Sequence, residues 1–113
     1  MVKVEIMPSL EEEINRIFKG ETIEILEFLK TLEQSPKKGK PIGRVGNIII
    51  KELKYRSFRF YFITDAYQIR FLKIEELTDL LLQFVRMSDK KTQQKTIEEI
   101  RQVLLDLGPK GFR

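Results

Sequence analysis

From Ile48 to Arg86 the chain is dominated by β-branched and aromatic residues, with short polar breaks about every ten positions. The pattern predicts four consecutive strands at roughly 46–54, 57–64, 67–74 and 79–86. The breaks are Tyr55-Arg56-Ser57, Thr64-Asp65-Ala66 and the stretch from Ile74 to Thr78. None is long enough for the crossover that parallel neighbours require, so these strands are expected to form an antiparallel meander. Within them the two faces separate. Phe58, Phe60 and Phe62 point one way and Arg59, Tyr61 and Ile63 the other. Leu80, Leu82, Phe84 and Arg86 alternate with Leu81, Gln83 and Val85 in the fourth. Both faces keep apolar residues, which predicts cover on both sides or a strong curl.

The segments on either side read as helical. Val2, Val4 and Ile6 alternate with Lys3 and Glu5, a short strand that could join the sheet edge. Ser9 and Glu12 have the spacing of a capping box, and Leu10, Ile14, Ile17 and Phe18 form one stripe. After Gly20 a second helix is predicted from about Thr22 to Gln34, ended by Ser35-Pro36. Residues 35–47 read as a Gly/Pro-rich loop carrying Lys37, Lys38, Lys40 and Arg44. Such a loop suits phosphate contact, and equally suits a connector kept soluble by lysines. A last helix is predicted from about Gln93 to Leu107, stopped by Gly108-Pro109, with a mobile tail from Lys110 to Arg113. The fold expected is α+β in a single domain over 1–113. Two N-terminal helices pack on a four-stranded antiparallel meander, with a possible extra N-terminal edge strand and a C-terminal helix.

Composition sharpens this. The 113 residues are 42% hydrophobic and 34% charged, which supports a core under a charged surface. With no cysteine and no histidine, neither a disulfide framework nor a Cys/His metal site can form, and no cofactor or metal is expected. No stretch is long and apolar enough to span a membrane, and the N-terminus lacks a signal-peptide run. A cytoplasmic protein with no membrane partner is the expectation. Abundant Lys and Glu without Cys weakly suggest a thermophile.

The net charge of +4 conceals an asymmetry. Of 21 basic and 17 acidic side chains, residues 1–34 hold four and eight, a net of −4. Residues 35–113 hold the remaining 17 and nine, a net of +8. This polarity favours an anionic partner on the sheet side, nucleic acid being the commonest. Lys51, Lys54, Arg56, Arg59, Tyr61, Arg70, Arg86, Lys90 and Lys91 interleave cations with an aromatic ring. Phosphates need charge and unstacked bases need flat partners, so the set suits RNA. Fixed cations also stabilise phosphoryl-transfer charge, and a lysine or tyrosine among them could have its pKa lowered enough to act as base. Against this stand core packing for the three phenylalanines and surface ion pairing for Arg59 and Arg86.

Two stretches resemble the RelE/ParE superfamily of toxin–antitoxin proteins. Glu52-Leu53-Lys54, a gap, then Phe58-Arg59-Phe60-Tyr61-Phe62 is similar to that family's E-L-R followed by Y-R, two hydrophobic residues and Y. Phe84 to Gln93 (FVRMSDKKTQ), leading into a helix near Thr96-Ile97-Glu98-Glu99, resembles the HigB-like, phage-derived branch. The resemblance covers about residues 3–107 and implies ribosome-dependent messenger RNA cleavage, in which the ribose 2′-hydroxyl attacks the adjacent phosphate. It places Arg59 on the scissile phosphate, Lys54 at the E-L-R arginine, and Lys90 and Lys91 at the basic pair; Arg86 joins them from the residue pattern alone. Lys51, Arg56, Tyr61, Lys37, Lys38, Lys40 and Arg44 are the expected RNA-binding set. The partners implied are messenger RNA, the ribosome and a cognate acidic antitoxin, in a homodimer or a heterotetramer with that antitoxin. The sequence departs from the family in having lysine for the E-L-R arginine, no histidine, and no tyrosine after the lysine pair. No general base or acid is therefore marked. The alternatives are a non-catalytic RNA- or DNA-binding module, a ParE-like gyrase-targeting toxin, and an interaction protein that dimerises through the Leu80-Leu81-Leu82 run.

Overall fold

The computed structural model describes residues 2–65 and 67–107. Ala66, the Gly108-Pro109 stop and the tail expected to be mobile lie outside the described residues. The chain runs β1 (Lys3–Ile6), α1 (Pro8–Phe18), α2 (Thr22–Lys30), a 3-10 turn (Thr31–Glu33), β2 (Lys40–Val45), β3 (Ile48–Tyr55), β4 (Phe58–Thr64), β5 (Gln68–Leu72), α3 (Ile74–Met87) and α4 (Lys90–Leu107). This is an α+β fold with a five-stranded mixed sheet in the order β1-β5-β4-β3-β2. β1 lies parallel to β5, and the remaining neighbours are antiparallel.

Two expectations for the sheet are corrected. Residues 79–86 are the body of α3, not a strand. Leu77 and Leu81 lie one turn apart and are buried, Phe84 and Val85 pack in the same cluster, and Leu82 is exposed. That is helical periodicity, and Leu and Gln are strong helix formers. Glu76 secures the start, its Oε1 accepting from the Lys73 backbone N–H at 3.0 Å. The meander is completed instead by β2, inside the segment read as a loop. Pro41 and Gly43 disguised it, but β2 is an edge strand with a register shift between those residues, where proline and glycine are tolerated. Ile42 and Val45 still bury their side chains.

Two layers of helix cover the sheet. On one face, α1 and α2 close over Leu53, Phe60, Phe62, Ile69 and Phe71. Phe58 packs at the margin of the same cluster, so the three phenylalanines of β4 are core. On the other face, α3 and α4 close over Ile42, Val45, Ile50 and Leu72. α4 approaches β2 so closely that a Cβ on Gly43 would stand 2.7 Å from Val103 Cγ2.

Helix starts also differ from expectation. The Ser9–Glu12 capping box is not formed. α1 begins at Pro8, whose missing N–H costs nothing in a first turn. Ser9 Oγ is buried without a partner. α4 begins at Lys90, three residues earlier than read, because Asp89 caps it. Asp89 Oδ1 accepts from the Thr92 backbone N–H and hydroxyl, each at 2.9 Å.

Candidate nucleic-acid interface

The β3–β4 hairpin builds the site through its register. Lys54 stands directly opposite Arg59, and Glu52 opposite Tyr61. On the outer side of β3, Lys40 pairs with Glu52. On the far side of β4, Leu72 pairs with Tyr61. Lys40, Glu52, Tyr61 and Leu72 therefore form one row across four strands, with Lys54 and Arg59 one row nearer the hairpin turn. Directly opposed residues hold their Cβ atoms about 4.5–5.5 Å apart. Three cations, one carboxylate and one phenol thus share a patch on the α3/α4 side, where the helices leave Lys40, Lys54 and Arg59 exposed.

Glu52 is the hub. Its side chain is 11% exposed, and its Oε2 lies 3.6 Å from Arg59 Nη1, a charge contact longer than a hydrogen bond. Arg59 keeps 47% of its side chain exposed, so it remains accessible to a ligand. Tyr61 has its pKa raised from 10.0, first by burial and then by the Glu52 charge, with Arg59 opposing. The cations therefore do not turn Tyr61 into a base. Near neutral pH it is a protonated hydrogen-bond donor.

Other expected site residues lie elsewhere. Lys51 is in register with Phe62 on the α1/α2 face and is 8% exposed. Its ammonium donates to the Lys37 carbonyl at 3.1 Å and stands 5.9 Å from the centre of the Phe62 ring. It pins the crossing segment rather than facing solvent. Lys37 and Lys38 belong to that segment, with Lys38 5.1 Å over the Phe28 ring. Arg44 turns back on its own hairpin, donating from Nε to the Gly46 carbonyl at 3.0 Å. Arg56 sits at the β3–β4 turn with a positive φ of 55°. It pairs with Glu21 at 2.8 Å and stacks over Tyr55. Arg70 lies on the α3/α4 face beside Glu5 at 3.6 Å, beyond hydrogen-bond reach, so its buried Nε is without a partner.

Arg86, Lys90 and Lys91 are not brought to the hairpin patch. α3 leaves β5 near Tyr61 and runs the other way. Its Leu80 lines a hollow with Ile48, Ile63, Thr64 and Asp65, at the end of the sheet remote from the turn. Along β4, Thr64 and Arg59 are separated by roughly 17 Å at strand rise, and Arg86 to Lys91 follow beyond Leu80. All three are exposed. Glu52 and Lys40 are the residues that sequence reasoning did not place at the centre. The period-two alternation puts Glu52 on the face of Lys54, but Lys40 needed β2 to be recognised as a strand.

A cleft of about 400 Å³ adjoins the patch, with Arg59, Tyr61, Lys73, Glu13 and Glu75 in its walls. Among the described residues no group of three or more carboxylates could hold a metal, and no helix is long and apolar enough to cross a membrane. Comparison with protein-family models, with curated proteins and with solved structures finds no match.

Proposed function

We propose that this chain is the toxin of a type II toxin–antitoxin pair and acts on RNA at the hairpin patch, in the manner of the RelE/HigB-like proteins it resembles. The observation that carries the reading is the direct opposition of Lys54 and Arg59, with Lys40, Glu52 and Tyr61 in the adjoining row. Like charges placed opposite one another disfavour the isolated sheet, and an anion between them removes that cost. A phosphodiester is the anion that a neighbouring phenol and an arginine fork suit best.

The chemistry follows from those groups. Lys54 and Arg59 hold the phosphate and stabilise the charge it gains as the 2′-hydroxyl attacks. Glu52 takes the hydroxyl proton, and Tyr61, kept protonated until then, gives its proton to the leaving 5′-oxygen. The P–O5′ bond breaks as the O2′–P bond forms, leaving a 2′,3′-cyclic phosphate and a 5′-hydroxyl. The resemblance rests on the β3–β4 half, because the Phe84–Gln93 half lies in the end of α3 and the start of α4, not after a strand. Arg86, Lys90 and Lys91 are assigned to a remote contact with the RNA carrier, the ribosome in this reading. An acidic antitoxin complements the +8 of residues 35–113.

The test is induced expression of the wild type, Arg59→Ala and Lys54→Ala in a cell, following growth and transcript integrity together. Arrest with cleaved transcripts, both reduced at least about a hundredfold by Arg59→Ala, is the expected result. Arrest with intact transcripts points to a gyrase-type target. Absence of arrest overturns the toxin reading for that host.

A further inference from the structure

β5 ends at Leu72, opposite Tyr61, while β4 continues through Phe60, Arg59 and Phe58 paired only to β3. Beyond Leu72 the chain turns through Lys73 into α3. The side of β4 left open by this early departure is the floor of the cleft of about 400 Å³, and α1 supplies its far wall. Its surface is of three kinds. Phe58, Leu72 and Ile74 are apolar, Arg59 and Lys73 are cationic, and Glu13 and Glu75 are anionic. No β5 residue pairs with the 58–60 backbone on this side, so amide donors and carbonyl acceptors of that edge face the cleft.

We infer that this cleft holds a single nucleobase beside the phosphate bound by Lys54 and Arg59, and that its carboxylates select guanine. The inference rests on the RNA reading of the hairpin patch and names the base which that patch accepts. Each surface has a use. The apolar side chains cover the faces of a flat ring. Arg59 is common to the patch and the cleft, so base and phosphate are held from one residue. A carboxylate accepts only, and guanine presents two adjacent donors, N1–H and the N2 amino group, matched to two carboxylate oxygens. Adenine and cytosine offer one amino group and uracil one imide N–H. The free strand edge supplies the mixed donors and acceptors that a base edge also requires. An extended peptide could use the same edge. The open part of β4 is only three residues, roughly 10 Å, and the Lys73–Glu75 corner lies beside it. That is short for a strand and adequate for one nucleotide in a cavity of this size.

The experiment is a titration of the 15N-labelled full chain with 5′-GMP, AMP, CMP and UMP in turn, and with inorganic phosphate, read by amide shifts. The expected result is that GMP moves Phe58–Tyr61 and Lys73–Glu75 at roughly one-tenth the concentration of UMP. Glu13→Gln and Glu75→Gln then erase that difference while leaving the remaining spectrum in place. Equal binding of the four nucleotides, or the same shifts with phosphate alone, overturns the inference. So does movement of Phe58–Phe60 by an alternating Val-Thr hexapeptide but not by GMP, which would make the edge a protein site. The two readings fail separately. Transcript cleavage lost in Arg59→Ala but without guanine preference leaves the toxin standing and the base pocket refuted. Selective GMP binding without transcript cleavage does the reverse.

Discussion

The two faces of the β3–β4 hairpin carry the same residue types to opposite ends. Lys51 and Lys54 are three positions apart on one strand, so they lie on opposite faces. Lys51 is buried on the α1/α2 face, bound to the Lys37 backbone carbonyl in the segment that leads into β2. Lys54 is exposed opposite Arg59. Phe60 and Phe62 are buried in the core beside Lys51, whereas Tyr61 between them keeps a phenol near Glu52. A cation or a ring in this chain thus acquires its role from the parity of its position. Lys51 is a fastener and Lys54 is available to a ligand, although composition treats them alike.

Breaking the core face should give the largest effect. Phe62 is fully buried, packs against Phe71 at 4.8 Å between ring centres, and supports both Lys51 and Gly39. Phe62→Ala is expected to cost about 3–5 kcal/mol of stability, read as a lower urea midpoint. On the other face, Arg59→Ala should change stability by less than about 1 kcal/mol, because its ion pair is half exposed. Comparable losses for the two would contradict the division of labour between the faces.

The lysines test the same division directly. Lys51→Ala removes a buried stem and the ammonium that holds the Lys37 carbonyl, for an expected loss of about 1–3 kcal/mol. Lys54→Ala should stay within about 0.5 kcal/mol of wild type. RNA binding should respond the other way, weakened by Lys54→Ala and retained by folded Lys51→Ala in a filter or anisotropy assay. If Lys51→Ala is neutral to stability and abolishes RNA binding, the buried lysine is the functional one.

The three well-formed central strands were legible because period-two alternation with aromatic residues leaves few other structures. The N-terminal edge strand and the α1, α2 and α4 stripes were equally open to reading. Two things were not. The apolar run Leu80-Leu81-Leu82 fits a strand as well as a helix, and the helical stripe shows only when Leu77, Leu81, Phe84 and Val85 are taken together behind the acidic pair Glu75-Glu76. β2 was hidden because Pro41 and Gly43 argue against a strand everywhere except at an edge. Both differences reach the site. Lys54, Arg59 and Tyr61 follow from local alternation, and Lys40 joins them only once β2 exists. Turning 79–86 into a helix carried Arg86, Lys90 and Lys91 away from the patch. The cleft residues come from two segments, Glu13 from α1 and Lys73 and Glu75 from the start of α3, that no local pattern connects.

A smaller effect tests Tyr61 on the open face. Burial and the Glu52 charge oppose its ionisation. Its folded pKa is raised, so the stability linked to it is present below 10.0 and is lost as pH rises through the folded value. In a tyrosinate absorbance titration, the Tyr61 step should lie above 10.0. Glu52→Gln should bring its step down and Arg59→Ala should push it up. A Tyr61 step below 10.0 in wild type would make it a candidate base and displace Glu52 from that role.

The smallest expected effect lies at the far end of the sheet. Asp89 caps α4 through Thr92, and those two hydrogen bonds hold its pKa below 3.8. For a carboxylate so lowered, the linked stability is present above the unfolded value and fades as pH falls through the folded one. Asp89→Asn keeps cap geometry without the charge, so it should flatten the acid limb of the stability curve by losing the same small, charge-linked stability at neutral pH. Asp89→Ala should also fray the first turn, increasing amide exchange at Lys91 and Thr92. Those amides adjoin the Lys90–Lys91 pair, so the variant also loosens the remote basic end without touching the hairpin. If it weakens RNA or ribosome binding while Arg59 and Lys54 remain intact, the remote contact proposed for the far cations is supported. If binding is unchanged, the hairpin patch is sufficient.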